Sequence, residues 1–181
     1  MYSKIGDYTV DVINKYKDLI SLIVSLCTFG VVLWGVLLAR STLKSHYEIA
    51  EKKQTADFLF QSREDEKYIN ALNTIRKMHK EGTSLHCLIE PPENREEEMR
   101  QNYIEVRYIL NFYERMAIAI KNGMYNEGML KETSYSTLCL VYRRTKPLIE
   151  KVRENHNQPT AYIEFERLAE RWIKNPLTLK T

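Results

Sequence analysis

Near the end of one polar, helix-patterned stretch stand Arg153, Glu154, Asn155 and His156. An Arg, a polar side chain and a His in close sequence are the residue types of metal-independent RNA cleavage. The imidazole exchanges protons with the 2′-hydroxyl and the leaving oxygen, and the guanidinium steadies the phosphorane. Arg153, Asn155 and His156 are therefore the candidate catalytic residues. The plain alternative is a His at a helix C-terminus, which the helix dipole stabilises when charged. Metal chemistry lacks a frame. The histidines are His46, His79, His86 and His156, and no pair is spaced i, i+3 or i, i+4. His86-Cys87 has only His79 nearby and no C-x-x-C or H-E-x-x-H pattern. The phosphate-cradling and nucleophile-elbow loops G-x-x-x-x-G-K-[ST], G-x-G-x-x-G and G-x-S-x-G do not occur. No metal and no cofactor are expected, and a non-enzyme is the first reading.

Charge clusters give a similar answer. Glu64-Asp65-Glu66 and Glu96-Glu97-Glu98 resemble paired carboxylates, yet each sits at an expected helix start, where negative charge is stabilising. Arg143, Arg144, Lys146, Lys151 and Arg153 gather around Pro147 and could contact RNA or phospholipid. Glu150 and Glu154 interleave with them, which favours a solvated face with i, i+4 pairs.

The segment that most constrains the chain is LISLIVSLCTFGVVLWGVLLA, Leu19 to Ala39, 21 residues without a charge or a proline. As a helix it is about 31 Å long at 1.5 Å per residue, close to the roughly 30 Å hydrocarbon core of a bilayer. A buried core helix and a cleaved signal peptide are the alternatives. The run is too long for a signal core, and Asp7, Asp11 and Asp18 precede it. A single-pass membrane helix is expected. Lys4, Lys15 and Lys17 precede the span, and Arg40, Lys44, Lys52 and Lys53 follow it, so positive charge leans towards a cytosolic C-terminal body. Cys27, Cys87 and Cys139 do not form a disulfide framework, which agrees.

Within the span, Ser21, Ser25, Thr28, Val32, Gly35 and Ala39 recur at 4-3-4-3-4. All are small or hydroxylated, while Leu22, Leu26, Phe29, Leu33, Trp34 and Leu37 lie off that line. In lipid, close backbone approach and interhelical hydrogen bonds drive association, so a small seam marks a helix interface. The 3.5-residue repeat implies a left-handed bundle of several copies, and Ser21, Ser25 and Thr28 could face an aqueous lumen. The plain alternative is a lone anchor whose hydroxyls bond back to their own helix.

The elements that position these residues are read as helices throughout. The chain has 181 residues, room for one soluble domain, with only 6 Gly and 5 Pro to make turns. A net charge of +3 does not by itself indicate a nucleic-acid binder. The expected layout is a tail at 1–18, a transmembrane helix at 19–39 and a cytosolic helical domain at 40–181. The first helix is expected to continue past Arg40 with a stripe of Leu43, Tyr47, Ala50 and Phe58. A break follows near Ser62, read as the cap of Ser62-Arg-Glu-Asp65. A second helix runs to Glu81 with Tyr68, Leu72, Ile75 and His79 inward and Gly82 after its end. Pro91-Pro92 place a loop at 82–94, whose Leu85, Leu88 and Ile89 should pack on the body. Asn94 is read as the cap of a central helix that carries Met99, Tyr103, Val106, Leu110, Tyr113, Ala117 and Ile120 and stops at Asn122-Gly123. Asn126 caps a short helix, and Ser134 starts a longer one that Pro147 interrupts or kinks. After a loop at 156–159, a last helix from about Thr160 to Lys174 turns Tyr162, Phe165, Leu168, Ala169 and Trp172 inward.

Two resemblances bear on function. FYERMAIAIKNG (112–123), KPLIEKVR (146–153) and FERLAERW (165–172) resemble an uncharacterised bacterial family with one N-terminal membrane helix and a helical cytosolic body. The whole layout is similar to the small accessory membrane proteins of type VI-B CRISPR systems, with their divergent HEPN-like helical domain. That resemblance implies an all-α, HEPN-like body and a membrane-embedded homo-oligomer in the bacterial inner membrane. Its function would be to form a pore that depolarises the membrane and strengthens antiviral defence. The implied partners are the lipid bilayer, further copies of the chain and an RNA-guided CRISPR effector or its RNA. HEPN nucleases carry Arg, four to six residues, then His, often with Asn directly after the Arg. Here Arg153 and His156 have two residues between them and Asn155 is not adjacent to the Arg; Arg40 and His46 have five between them but lie at the membrane boundary. The resemblance thus carries the pore and the helical body, and leaves catalysis out. A membrane-tethered HEPN-like ribonuclease and a non-catalytic anchored interaction module, as in phage exclusion, are the alternatives.

Overall fold

The computed structural model describes the backbone of residues 2–89 and 95–178, and the side chains of 15–17, 19–89 and 95–178. Five α-helices follow in order: α1 (Tyr2–Glu64), α2 (Glu66–Lys80), α3 (Glu96–Lys121), α4 (Glu127–Asn155) and α5 (Ile163–Lys174). A 3₁₀ turn, Leu85–Leu88, lies between α2 and α3. The described residues contain no strand. The chain divides into two compact units, Met1–Ile49 and Ala50–Thr181.

The first unit is helix alone. No proline interrupts it, and two of its hydroxyls fold back on the helix: Thr28 Oγ1 donates to the carbonyls of Val24 (3.0 Å) and Ser25 (2.9 Å), and Thr42 Oγ1 to Leu38 (2.9 Å). Every described side chain up to Ile49 is exposed. The helix does continue beyond Arg40, but Leu43, Tyr47 and Ala50 do not form a packed stripe with Phe58. The side chains of Leu43, Tyr47 and Ala50 are exposed, whereas Thr55 is buried and Phe58 is half-buried, where α3 and the start of α4 come within reach.

The second unit is built around α3, which packs on α2 and α5; α4 packs on α5, the 3₁₀ turn and α2. The expected stripe of α3 is buried except Tyr103, which is half-buried. Ile109, Phe112 and Met116 are buried as well, because α3 has neighbours on two sides. On α2 the buried residues are Ala71, Ile75 and Met78; His79 is exposed, since the inward line steps by three from Ile75 to Met78. Leu85 and Leu88 are buried in the 3₁₀ turn and tie the connection to the core. Pro91, Pro92 and Asn94 lie outside the described residues.

Several helix ends depart from the expected places. Ser62 is not a cap. Its Oγ donates to Leu59 O inside the last turn of α1. Asp65 caps α2 instead, accepting from the amides of Lys67 (3.0 Å) and Tyr68 (3.2 Å). Asn126 does cap α4, accepting from Met129 N at 3.0 Å, but the expected short helix and the longer one after Ser134 are a single helix. No breaker separates them, and Thr133 Oγ1 bonds back to Met129 O and Leu130 O rather than opening the chain. Pro147 is carried inside α4 on its exposed face, where the carbonyl deprived of its amide partner can meet water. The last helix begins at Ile163 rather than Thr160. Residues 159–162 form a turn in which Tyr162 adopts φ +58°. Gly82 (φ +69°) and Gly123 (φ +67°) follow the ends of α2 and α3. The amide after each glycine reaches back five residues (Thr83 N to Met78 O and Met124 N to Ala119 O, both 2.9 Å), the Schellman closure that a glycine permits.

Candidate functional site

The end of α4 shows what Arg153, Asn155 and His156 do. α4 closes through Asn157, which takes φ +51° in the place usually given to Gly, while Gln158 N reaches Arg153 O at 3.1 Å. That closure turns the chain so that residues 159–162 lead into α5 antiparallel to the end of α4. Arg153 points at this turn. Its Nε donates to Ala161 O at 3.0 Å. Its Nη2 lies 2.8 Å from Glu166 Oε2, close enough for an ion pair though not aligned as a hydrogen bond. Glu166 also accepts from Tyr142 Oη at 3.1 Å, and Glu170 accepts from the same hydroxyl at 3.2 Å.

Electrostatics follow the geometry. Burial would raise the Glu166 carboxyl, but the contact and charge attraction of Arg153 outweigh it and hold the group below its ordinary value. Burial, then the carboxylates of Glu166 and Glu170, push the Tyr142 phenol up. Arg153 is therefore turned inward as the clamp between α4 and α5, and not onto the solvated face expected from Glu150 and Glu154.

His156 is the C-cap of α4 and is exposed. Asn155 is the last helical residue and is exposed too. Among the described residues no hydrogen bond or ion pair joins Arg153 to His156. Arg40 and His46 both lie on α1, where six positions separate their directions by about 120° at 3.6 residues per turn.

Sequence reasoning singled out Arg153 but not its partners. Glu166 and the Ala161 carbonyl come from beyond a turn, and no local pattern announces them. The same holds for the start of α5. Its N-cap, Tyr162, has no side-chain cap, and Glu114 of α3 serves instead, accepting from Glu164 N (3.3 Å) and Phe165 N (2.7 Å).

The other candidate is the apolar stretch of α1. This helix is long and apolar enough to cross a membrane. Ser21, Ser25, Thr28, Val32, Gly35 and Ala39 are all exposed. At 100° per residue they fall within a sector about 80° wide. Leu22, Leu26, Phe29, Leu33, Trp34 and Leu37 point elsewhere and are exposed as well. Among the described residues no atom lies within 4 Å of the place a Cβ at Gly35 would take. All described side chains from Leu19 to Ala39 are exposed. Among the described residues no group of three metal-ligating side chains gathers.

Residues 18–172 match a family described as a domain of unknown function, DUF4760. The match takes in the apolar stretch together with nearly all of the helical body. Comparison with curated proteins and with solved structures finds no match.

Proposed function

We propose, for a chain that belongs to the DUF4760 family, a single-pass membrane protein that acts by self-association in the bilayer and not by catalysis. The observation that carries this reading is the uncovered stretch of α1: 21 residues without a charge, all exposed, with every small residue of the seam in one sector. Exposed apolar surface of that length is stable in lipid and not in water. Its small face is the one along which identical helices can approach. The excess of Arg40, Lys44, Lys52 and Lys53 supports a cytosolic helical body. In its specific form the reading is a homo-oligomeric pore of the bacterial inner membrane whose opening depolarises the cell in antiviral defence. The resemblance to type VI-B CRISPR accessory proteins, with a HEPN-like body beside an RNA-guided effector, is its support.

The ribonuclease reading is weaker, because Arg153 is engaged by Glu166 and Ala161. A second non-catalytic reading has its own observation. Thr28 places its hydroxyl on its own helix, which suits a plain anchor carrying an interaction module. One comparison separates the two. Gly35→Leu adds bulk on the seam, and Leu33→Phe adds it on the lipid-facing side. In the oligomer reading Gly35→Leu lowers both the particle size in mild detergent and depolarisation measured with a voltage-sensitive dye, and Leu33→Phe changes neither. If neither variant has any effect, the span is only an anchor; if Leu33→Phe alone fails, the interface lies on the other face.

A further inference from the structure

A groove of about 760 Å³ opens between the end of α2, the turn that follows it and the middle of α4. That volume lies within the usual range for small-molecule sites, about 300–1,000 Å³. Ile75, Leu85 and Leu140 give it an apolar floor, and His79, Arg143 and Arg144 stand at its edge. No carboxylate side chain lines it. The two arginines differ from most others in this body. Arg95, Arg100, Arg153, Arg167 and Arg171 each hold a carboxylate. Arg143 and Arg144 hold none among the described residues, and Arg143 is close enough to the groove's floor for its charge to act on the Cys139 thiol, against the stronger effect of burial that pushes that thiol up. Two arginines lining one cleft with an apolar floor and no carboxylate complement an oxyanion joined to an apolar body. A nucleobase fits less well: Tyr135 already stacks on Trp172 at 6.4 Å, and no Asn, Gln, Asp or Glu lines the groove to read a base edge.

We infer that this groove binds a single-chain anionic amphiphile, its phosphate or carboxylate head between Arg143 and Arg144 and its alkyl chain along Ile75, Leu85 and Leu140. The inference is independent of what α1 does in a membrane.

Trp172 supplies the readout, because Tyr135 lines the groove and stacks on it. The full chain carrying Trp34→Phe, in a neutral detergent, has Trp172 as its single tryptophan. Titration with octyl phosphate below its micelle concentration should give a saturable change in Trp172 emission. Arg143→Gln/Arg144→Gln removes no ion pair, so the fold should hold by circular dichroism. It should weaken binding about tenfold or more, the scale of losing charged hydrogen bonds. Inorganic phosphate and octanol, each offering half of the ligand, should both bind far more weakly than octyl phosphate. The inference is overturned if octyl phosphate does not saturate, or if the folded double variant binds as well as the parent. It also fails if either half-ligand binds as tightly as the whole.

Discussion

Replacing Arg153 with Met keeps the apolar stem of the side chain but removes the guanidinium that clamps α4 to α5. The Arg153 and Glu166 side chains are 19% and 17% exposed, so the pair lies between two regimes. Breaking a fully buried pair by deleting one partner costs about 3–5 kcal/mol, and an exposed pair is worth about 0–1 kcal/mol. With water reaching part of both groups, about 2 kcal/mol is the reasonable share. The Ala161 carbonyl also loses its donor, adding about 1 kcal/mol. The expected destabilisation is therefore about 3 kcal/mol, and with a slope of about 2 kcal/mol per M it moves the urea midpoint down by about 1.5 M. Trp172 is 1% exposed in the core of the body, so its emission in a Trp34→Phe background follows unfolding of the body and not of α1. The pH dependence has a definite sign. Glu166 is held below its ordinary value of 4.5, so its contribution is full above that value and fades as pH falls through the lower folded value. The gap between the parent chain and Arg153→Met should therefore narrow below about pH 4.5. His156→Ala, at an exposed cap, should change stability by no more than about 0.5 kcal/mol. If Arg153→Met unfolds at the parent's urea midpoint, and both variants abolish RNA cleavage by the purified chain, Arg153 is catalytic and the clamp account is wrong.

Three further substitutions test the packing. Glu114→Gln weakens the cap that α3 lends to α5; a loss of about 1 kcal/mol is expected, with faster hydrogen exchange at the amides of Glu164 and Phe165, and unchanged exchange there would refute the assignment. Thr55 is fully buried and accepts from Asn126 N at 2.8 Å while donating to Glu51 O. Thr55→Val strands that amide and should cost about 1–3 kcal/mol in urea denaturation, against no loss if Asn126 finds another acceptor. Pro147→Ala restores a helix amide on the exposed face of α4. It should raise the unfolding midpoint by at least the equivalent of about 1 kcal/mol, and a fall would mean that the body needs the local geometry proline imposes.

Much of this fold could be read from the chain because helical periodicity is a local signal. The inward lines of α3 and α5 and the apolar stretch of α1 are visible as spacings of three and four. The closures at Gly82 and Gly123 were marked by the residue that tolerates positive φ. Sequence and structure part where two local rules compete. Ser62 and Asp65 are both good caps, and the chain used the one whose carboxylate also accepts from Tyr108 Oη. Ser134 resembles a start, but a start needs a preceding break, and none exists between Leu130 and Leu138. Asn157, unlike Gly, gives little sign that it will take a left-handed turn. The α4 end was harder for a different reason. A sequence shows that Arg153 and His156 are close along the chain, yet Arg153 is turned by Glu166, thirteen positions away across a turn. Long-range pairing of this kind, including the cap from Glu114, leaves no periodic trace. The seam of α1 was legible as a pattern, but its partner would be another molecule.

Disulfide scanning in native membranes tests the central claim most directly. In a chain lacking its own cysteines (Cys27→Ser, Cys87→Ser, Cys139→Ala), single cysteines are placed in turn at positions 21–39 and oxidised under mild conditions. The account predicts that the chain stays with the membrane after alkaline extraction. Cross-linked dimers should rise at 21, 25, 28, 32, 35 and 39 and fall at 22, 26, 29, 33 and 37, following the 4-3 spacing of the seam. Release of the chain by alkaline extraction, or cross-linking that is absent or equal on all faces of α1, would contradict it.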